Sequence, residues 1–170
     1  MEELNRITPA QFKEQAKIPL VVVLDSIRSM NNVGSVFRTC DAFKVEKLFL
    51  CGITACPPNK EISKTALGAT ESVIWTYVED VVELADRLKK EGYKVFVVEQ
   101  VDESVKLQNM SFSKDEKLAV IVGNEVFGVD ERLLPICDAA IEIPQFGTKH
   151  SLNVSIAAGI VIWEVAKHFF

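Results

Sequence analysis

A chain of 170 residues, 48% of them apolar, has enough side chain to bury a core and is sized for one domain. Its formal net charge of −5 argues against broad, non-specific nucleic-acid binding, which depends on neutralising phosphates. No apolar run reaches the roughly 18 residues of a membrane span, and Met1 to Arg6 lack the shape of a signal peptide, so a cytoplasmic protein is expected.

Residues 1–19 read as a short polar extension with one helix over Pro9 to Ala16. From Leu20 onward, apolar runs bounded by turn residues alternate with helical patterns, the signature of an α/β domain with a mainly parallel sheet and helices on both faces. Strands are expected near Leu20 to Ile27, Lys47 to Cys51, Val73 to Val78, Val95 to Glu99, Leu118 to Gly123 and Ala140 to Ile143. A helix is expected from Val33 to Ala42, with Val36, Phe37 and Cys40 facing inward. Cys56-Pro57-Pro58-Asn59-Lys60 cannot continue a strand or a helix and reads as an exposed loop. The clearest helix is Val81 to Glu91, where Val81, Leu84, Ala85 and Leu88 share a face, Asp80 caps the start and Gly92 ends it. The last helix, Asn153 to His168, is apolar almost all round and should be buried on more than one side, by the sheet and by a partner subunit.

Cys40, Cys51, Cys56 and Cys137 are scattered, with no Cys-x-x-Cys pair, and His150 and His168 are the only histidines. The thiols read as reduced and mostly buried, and no metal is expected. Arg6, Lys13, Lys17, Arg28, Arg38, Lys44, Lys60, Lys64 and Lys149 can form a local basic surface, although each taken singly reads as solvated surface.

Three segments carry the chemistry. Asn31-Asn32-Val33-Gly34 opens the helix after the first strand, with Asn32 placed to cap it and Arg38 to project from its second turn. Alone, Asn-x-Gly is ordinary turn chemistry and Arg38 a surface ion-pair residue. Gly123-Asn124-Glu125 follows an apolar strand at its carboxyl end, where α/β sheets bind ligands, and glycine there lets a ligand approach the backbone. Alone, Glu125 reads equally well as a carboxylate that caps or bridges a loop. Gly123 and Gly128 have four residues between them, but Val129-Asp130 follows in place of Lys and Ser or Thr, so this is no phosphate-binding P-loop. The absence of Gly-x-Gly-x-x-Gly disfavours an NAD-linked oxidoreductase. The third segment leaves a strand at Ile143-Pro144, passes through Gln145 to His150 and enters the last helix at Ser151-Leu152-Asn153, where Ser151 or Asn153 is placed to cap.

Together, Asn32-Val33-Gly34-Ser35-Val36-Phe37-Arg38-Thr39, Gly123-Asn124-Glu125-Val126-Phe127-Gly128, and Ile143 to Gly147 leading into Leu152 to Ala158 resemble the three ordered motifs of SpoU-type RNA 2′-O-methyltransferases of the SPOUT superfamily. The resemblance covers roughly Leu20 to Phe170 and implies a methyltransferase domain over residues 20–170, closed by a C-terminal deep trefoil knot, an exception to the usual absence of knots. It implies S-adenosylmethionine (AdoMet) as cofactor, tRNA or rRNA as substrate, a homodimer, and methyl transfer to a ribose 2′-hydroxyl. Backbone groups around Gly123, Ile143 and Leu152, with the strand end at Val98-Glu99, would hold the cofactor. Arg38 matches the arginine that these enzymes place beside the reacting hydroxyl. A guanidinium is not readily deprotonated, so Arg38 is expected to stabilise the developing alkoxide, with Asn32, Glu125, Ser151 and Asn153 orienting it and the ribose. Gln145, Ser29-Met30-Asn31 and Lys149-His150 depart from the family pattern at the mouth of the site. The non-enzymatic alternative is a knotted RNA-binding module that has lost methyl transfer, which would not require those five polar residues together.

Overall fold

The computed structural model describes residues 7–149 and 151–170; Met1 to Arg6 and His150, on which the readings of the leader, of Arg6 and of the His150 charge rest, lie outside them. Thr8 opens α1 (Pro9–Glu14) with a reciprocal capping box, Gln11 N donating to Thr8 Oγ1 at 3.2 Å and Thr8 N to Gln11 Oε1 at 2.8 Å. Seven strands follow: β1 (Ile18–Asp25), β2 (Val45–Cys51), β3 (Trp75–Val78), β4 (Tyr93–Val98), β5 (Val105–Lys106), β6 (Lys117–Val122) and β7 (Ala139–Glu142). They form one sheet in the order β3-β2-β1-β6-β4-β7-β5, and every pairing is parallel. All carboxyl ends therefore open on one edge.

The unbroken apolar run of β1 is explained by its central place. Leu20, Val22 and Leu24 pack into one core and Val21 and Val23 into another, so both faces are covered. The first core lies under α2 (Met30–Ala42), α3 (Lys60–Ala66), α4 (Ala69–Ser72) and α6 (Val154–Ala166). The second lies under α5 (Val81–Lys90), whose buried stripe is Val81, Leu84, Ala85 and Leu88, with Asp80 accepting from Val82 N at 2.7 Å.

Several boundaries differ from the expectation for local reasons. The helix after β1 starts at Met30 because Ser29 is its cap, its hydroxyl accepting from Asn32 N at 3.3 Å; Asn32 is inside the first turn and Arg38 in the third. The Cys56 to Asn59 stretch is a loop, but Lys60 onward folds into α3 and then α4, because Asn59 caps with bonds to Glu61 N and Ile62 N at 2.9 and 3.3 Å. The hydrogen bond from Val73 N to Ala69 O, 3.0 Å, holds Val73 to α4, so β3 begins only at Trp75. Two-residue β5 is too short to show any alternation in sequence.

α6 buries Ala158, Val161, Ile162, Val165 and Ala166 and leaves Ile156, Ile160 and Trp163 exposed, with Trp163 beside Phe43 at 5.5 Å between ring centroids. No helix among the described residues is long and apolar enough to cross a membrane. None of the described His, Cys, Asp and Glu side chains form a group of three or more able to hold a metal ion.

Candidate functional site

Four segments meet at the carboxyl edge of the sheet: the loop after β1, the start of α2, the turn after β6, and the stretch from β7 into α6. Beside them a cavity of about 500 Å³ opens over the ends of β4, β6 and β7. Gly123, Ile143 and Leu152 line it, as do Glu125, Ser151 and Asn153. Asn32 and Arg38 do not.

The turn after β6 is closed by its own backbone. Asn124 N donates to Gly128 O at 2.8 Å and Gly128 N returns to Asn124 O at 2.9 Å. The Asn124 side chain accepts from Val126 N and Phe127 N at 2.9 and 3.1 Å, and donates to Ser26 O at 2.7 Å. A Cβ on Gly123 would lie 2.3 Å from the Gly128 carbonyl carbon and from Val129 N. The turn folding back on it is thus reason enough for glycine at that position, beside the close approach it would allow a ligand in the cavity it lines. Gly128 has φ 73° and faces Glu99, whose carboxylate accepts from Val129 N at 3.1 Å and Gln100 N at 2.9 Å.

Glu125 is the junction of the site. Its Oε2 accepts from Arg28 N at 2.9 Å, and its Oε1 from Ser29 N at 3.0 Å and Asn32 Nδ2 at 3.1 Å. Burial alone would raise its carboxyl pKa, but the amides of Arg28 and Ser29 and the Asn32 side chain outweigh that and hold it below the ordinary carboxylate range. Asn32 Oδ1 in turn accepts from Asn153 Nδ2 at 3.1 Å, and Asn153 Oδ1 caps α6 by accepting from Ser155 N at 2.9 Å and Ser155 Oγ at 2.7 Å. One hydrogen-bonded chain therefore fastens all three motifs together.

Arg38 stands apart from it. Six residues along a helix is about 240° of rotation, so Arg38 and Asn32 leave α2 in different directions. Arg38 is exposed and takes part in no hydrogen bond or ion pair among the described residues. Ser151 lies exposed at the cavity mouth. Sequence reading overlooked Glu142, which lines the cavity, accepts from Ser104 Oγ at 2.8 Å and has no motif to announce it, and gave no role to Ser155, which lies within the third motif and bonds Asn153. Three carboxylates, Glu99, Glu125 and Glu142, line the cavity, and no Lys or Arg among the described residues does. Such a lining favours a cationic ligand and opposes a pyrophosphate.

Residues 19–163 match the model of the SpoU rRNA Methylase family. Over 98% of its length the chain is 32% identical to a tRNA (guanosine(18)-2′-O)-methyltransferase of Aquifex aeolicus, covering 76% of that protein. It spans only 61% of the length of a TrmH family relative from Staphylococcus haemolyticus, to which it is 31% identical over 155 residues. The crystal structure of the A. aeolicus TrmH/SpoU tRNA modifying enzyme superposes with TM-score 0.83 at 27% identity, over 94% of this chain and 80% of that one. An AdoMet-bound rRNA methyltransferase from Sinorhizobium meliloti gives TM-score 0.83 at 25% identity, over 93% of this chain and 59% of that one. With the model matched over most of the chain and the three motifs joined at one sheet edge, the chain belongs to the SpoU rRNA methylase family.

Proposed function

We propose that this protein transfers a methyl group from AdoMet to a ribose 2′-hydroxyl of tRNA or rRNA. The observation that carries the proposal is the ligand-sized cavity lined by carboxylates and by no Lys or Arg among the described residues, set against the Glu125–Asn32–Asn153 chain. At about 500 Å³ it falls within the range of small-molecule sites. Its apolar wall includes Val98, Val122, Ile141 and Leu152, which suits an adenine held by main-chain groups, and its carboxylates suit a sulfonium. The residues present fit AdoMet, and the same lining speaks against NAD.

When bound, AdoMet supplies an electrophilic methyl carbon on its sulfonium. Backbone around Gly123, Ile143 and Leu152 would hold it. Asn32 and Asn153, whose amides are fixed by Glu125 and by the cap of α6, orient the ribose, and Ser151 stands at the mouth to meet it. Arg38 stabilises negative charge growing on the ribose oxygen and anchors a neighbouring phosphate.

We further propose a homodimer in which a second copy covers Ile156, Ile160 and Trp163, since three large apolar side chains on one exposed helix face are seldom left to water. A deep trefoil knot at the C-terminus goes with the family resemblance. A cytoplasmic location follows from the proposed RNA substrate. The test is to probe total RNA from cells lacking the protein with the purified enzyme and labelled AdoMet, then map the missing methyl group. Incorporation at a single 2′-hydroxyl supports the proposal. No incorporation by protein that binds both AdoMet and RNA would favour the inactive binding module.

A further inference from the structure

Across the Asn124–Gly128 turn from the first cavity lies a second one, of about 390 Å³. Its lining includes Asp25, Arg28, Ile53, Phe127 and Asp130, and it shares Asn124 and Gly128 with the first. Two features set it apart from ordinary surface. Phe127 is 84% exposed and Ile53 70% exposed at its rim. Asp25, only 6% exposed, is a carboxylate at the end of β1 that borders it.

Phe127 stands on a turn whose backbone is tied in place. Its backbone is held by Asn124 Oδ1 at 3.1 Å, and Asn124 is itself tied to Ser26 O and to Gly128. The turn therefore holds the backbone that carries Phe127, and its ring stands open to any flat ring that stacks on it. Asp25 has acceptors to spare. A carboxylate offers about four acceptor sites, and the Asp130 amide takes one, on Oδ2, at 3.2 Å. Burial pushes the Asp25 carboxyl above the ordinary carboxylate range, with Asp130 N and Ser26 opposing the shift, so a donor pair arriving from a ligand would relieve a charge that the fold leaves poorly compensated. Arg28 is exposed at the same rim; its main-chain N–H is fixed by Glu125, and its guanidinium makes no ion pair among the described residues.

We infer that this second cavity receives an unpaired guanine of the RNA substrate. The base would stack on Phe127 and direct its Watson–Crick N1–H and N2–H donors to the Asp25 carboxylate, with Arg28 on the adjoining phosphate. Two adjacent N–H donors matched to one carboxylate belong to guanine among the four bases; adenine and cytosine bring an acceptor beside their amino group, and uracil a single donor between carbonyls. Asn124 and Gly128 belong to both linings, so the two cavities are neighbours across one turn of chain. The inference rests on the methyltransferase reading, because an RNA must lie across the first site for its neighbour to enter the second.

The test measures binding of the full chain to short RNA hairpins that differ in one loop base, guanine, inosine, adenine, cytosine or uracil, with AdoMet titrated separately. Guanine should bind about tenfold more tightly than adenine, cytosine or uracil, and inosine, which lacks the N2 amino group, should fall between. Phe127→Ala should weaken the guanine hairpin by about tenfold without changing AdoMet affinity. Asp25→Asn, which keeps an acceptor for Asp130 N, should erase the preference for guanine over inosine. Equal affinity for all five hairpins, or a Phe127→Ala protein that binds RNA normally or changes only its oligomeric state, overturns the inference. Wild-type protein that binds AdoMet but none of the hairpins overturns it while sparing the methyltransferase reading, whereas binding of neither overturns both.

Discussion

Gly123→Ala tests why the turn after β6 has its shape. The added Cβ would stand 2.3 Å from the Gly128 carbonyl carbon and Val129 N, and 2.4 Å from Gly128 O. Ordinary carbon contacts are about 3.5–4.0 Å, so the backbone on one side must retreat by about 1 Å. Retreat parts the paired Asn124 and Gly128 bonds of 2.8 and 2.9 Å and carries Gly128 toward Glu99, whose carboxylate already holds Val129 N. Overpacking against backbone costs about 1–3 kcal/mol, which for a domain of this size lowers the melting temperature by about 2–12 °C. Both glycines line the larger cavity, so AdoMet affinity should fall in parallel. Thermal unfolding followed by circular dichroism, with calorimetric titration of AdoMet, reads both effects. Gly147→Ala is the control, since nothing lies within 4 Å of a Cβ there. A Gly123→Ala protein melting within about 1 °C of wild type would refute the argument that backbone closeness demands this glycine.

Arg38→Ala should lower single-turnover methyl transfer by about 10²–10³ and leave AdoMet affinity unchanged, because Arg38 lies outside the cavity; near-normal transfer would remove Arg38 from the reaction. Glu125 is held below the ordinary carboxylate range in the folded chain, so its stabilising contribution is complete above the unfolded value and is lost as pH falls through the folded one. The stability gap between wild type and Glu125→Gln, from urea titrations, should hold steady above about pH 5 and shrink below about pH 4; a gap that widens with acid would contradict the assigned hydrogen bonds. Light scattering at micromolar concentration should give a dimeric mass for wild type and a monomeric one for Trp163→Glu, and a monomeric wild type would refute the proposed α6 contact.

The parallel sheet was legible because Leu20 to Leu24, Val95 to Val98 and Leu118 to Val122 are continuous apolar runs, as doubly covered strands must be, and because α5 carries a clean inward stripe between Asp80 and Gly92. α3 and α4 were not, since Pro57-Pro58 outweighed the helix that Asn59 caps one residue later, and Gly34 reveals itself as the seat of α3 only in space, where a Cβ would come within 2.2 Å of Ile62 O. At the site, the motifs brought Asn32, Glu125 and Asn153 into view, and the structure joins them with two hydrogen bonds. Asn32 was expected to cap α2, but Ser29 does so, which leaves the Asn32 side chain free to face Glu125. Arg38 carries the opposite lesson: membership in one motif with Asn32 does not place it on the same side of the helix. Glu142 and Asp25 end strands in apolar company, where a lone carboxylate has no sequence context to mark it.

The cavity over β4, β6 and β7 is proposed to bind a sulfonium nucleoside. Calorimetric titration of the full chain with AdoMet, its demethylated product and NAD tests it most directly. Saturable binding of AdoMet and its product and none of NAD is expected, because three carboxylates and no Lys or Arg among the described residues line the cavity. Binding of NAD, or no binding of AdoMet at millimolar concentration by folded protein, would contradict it.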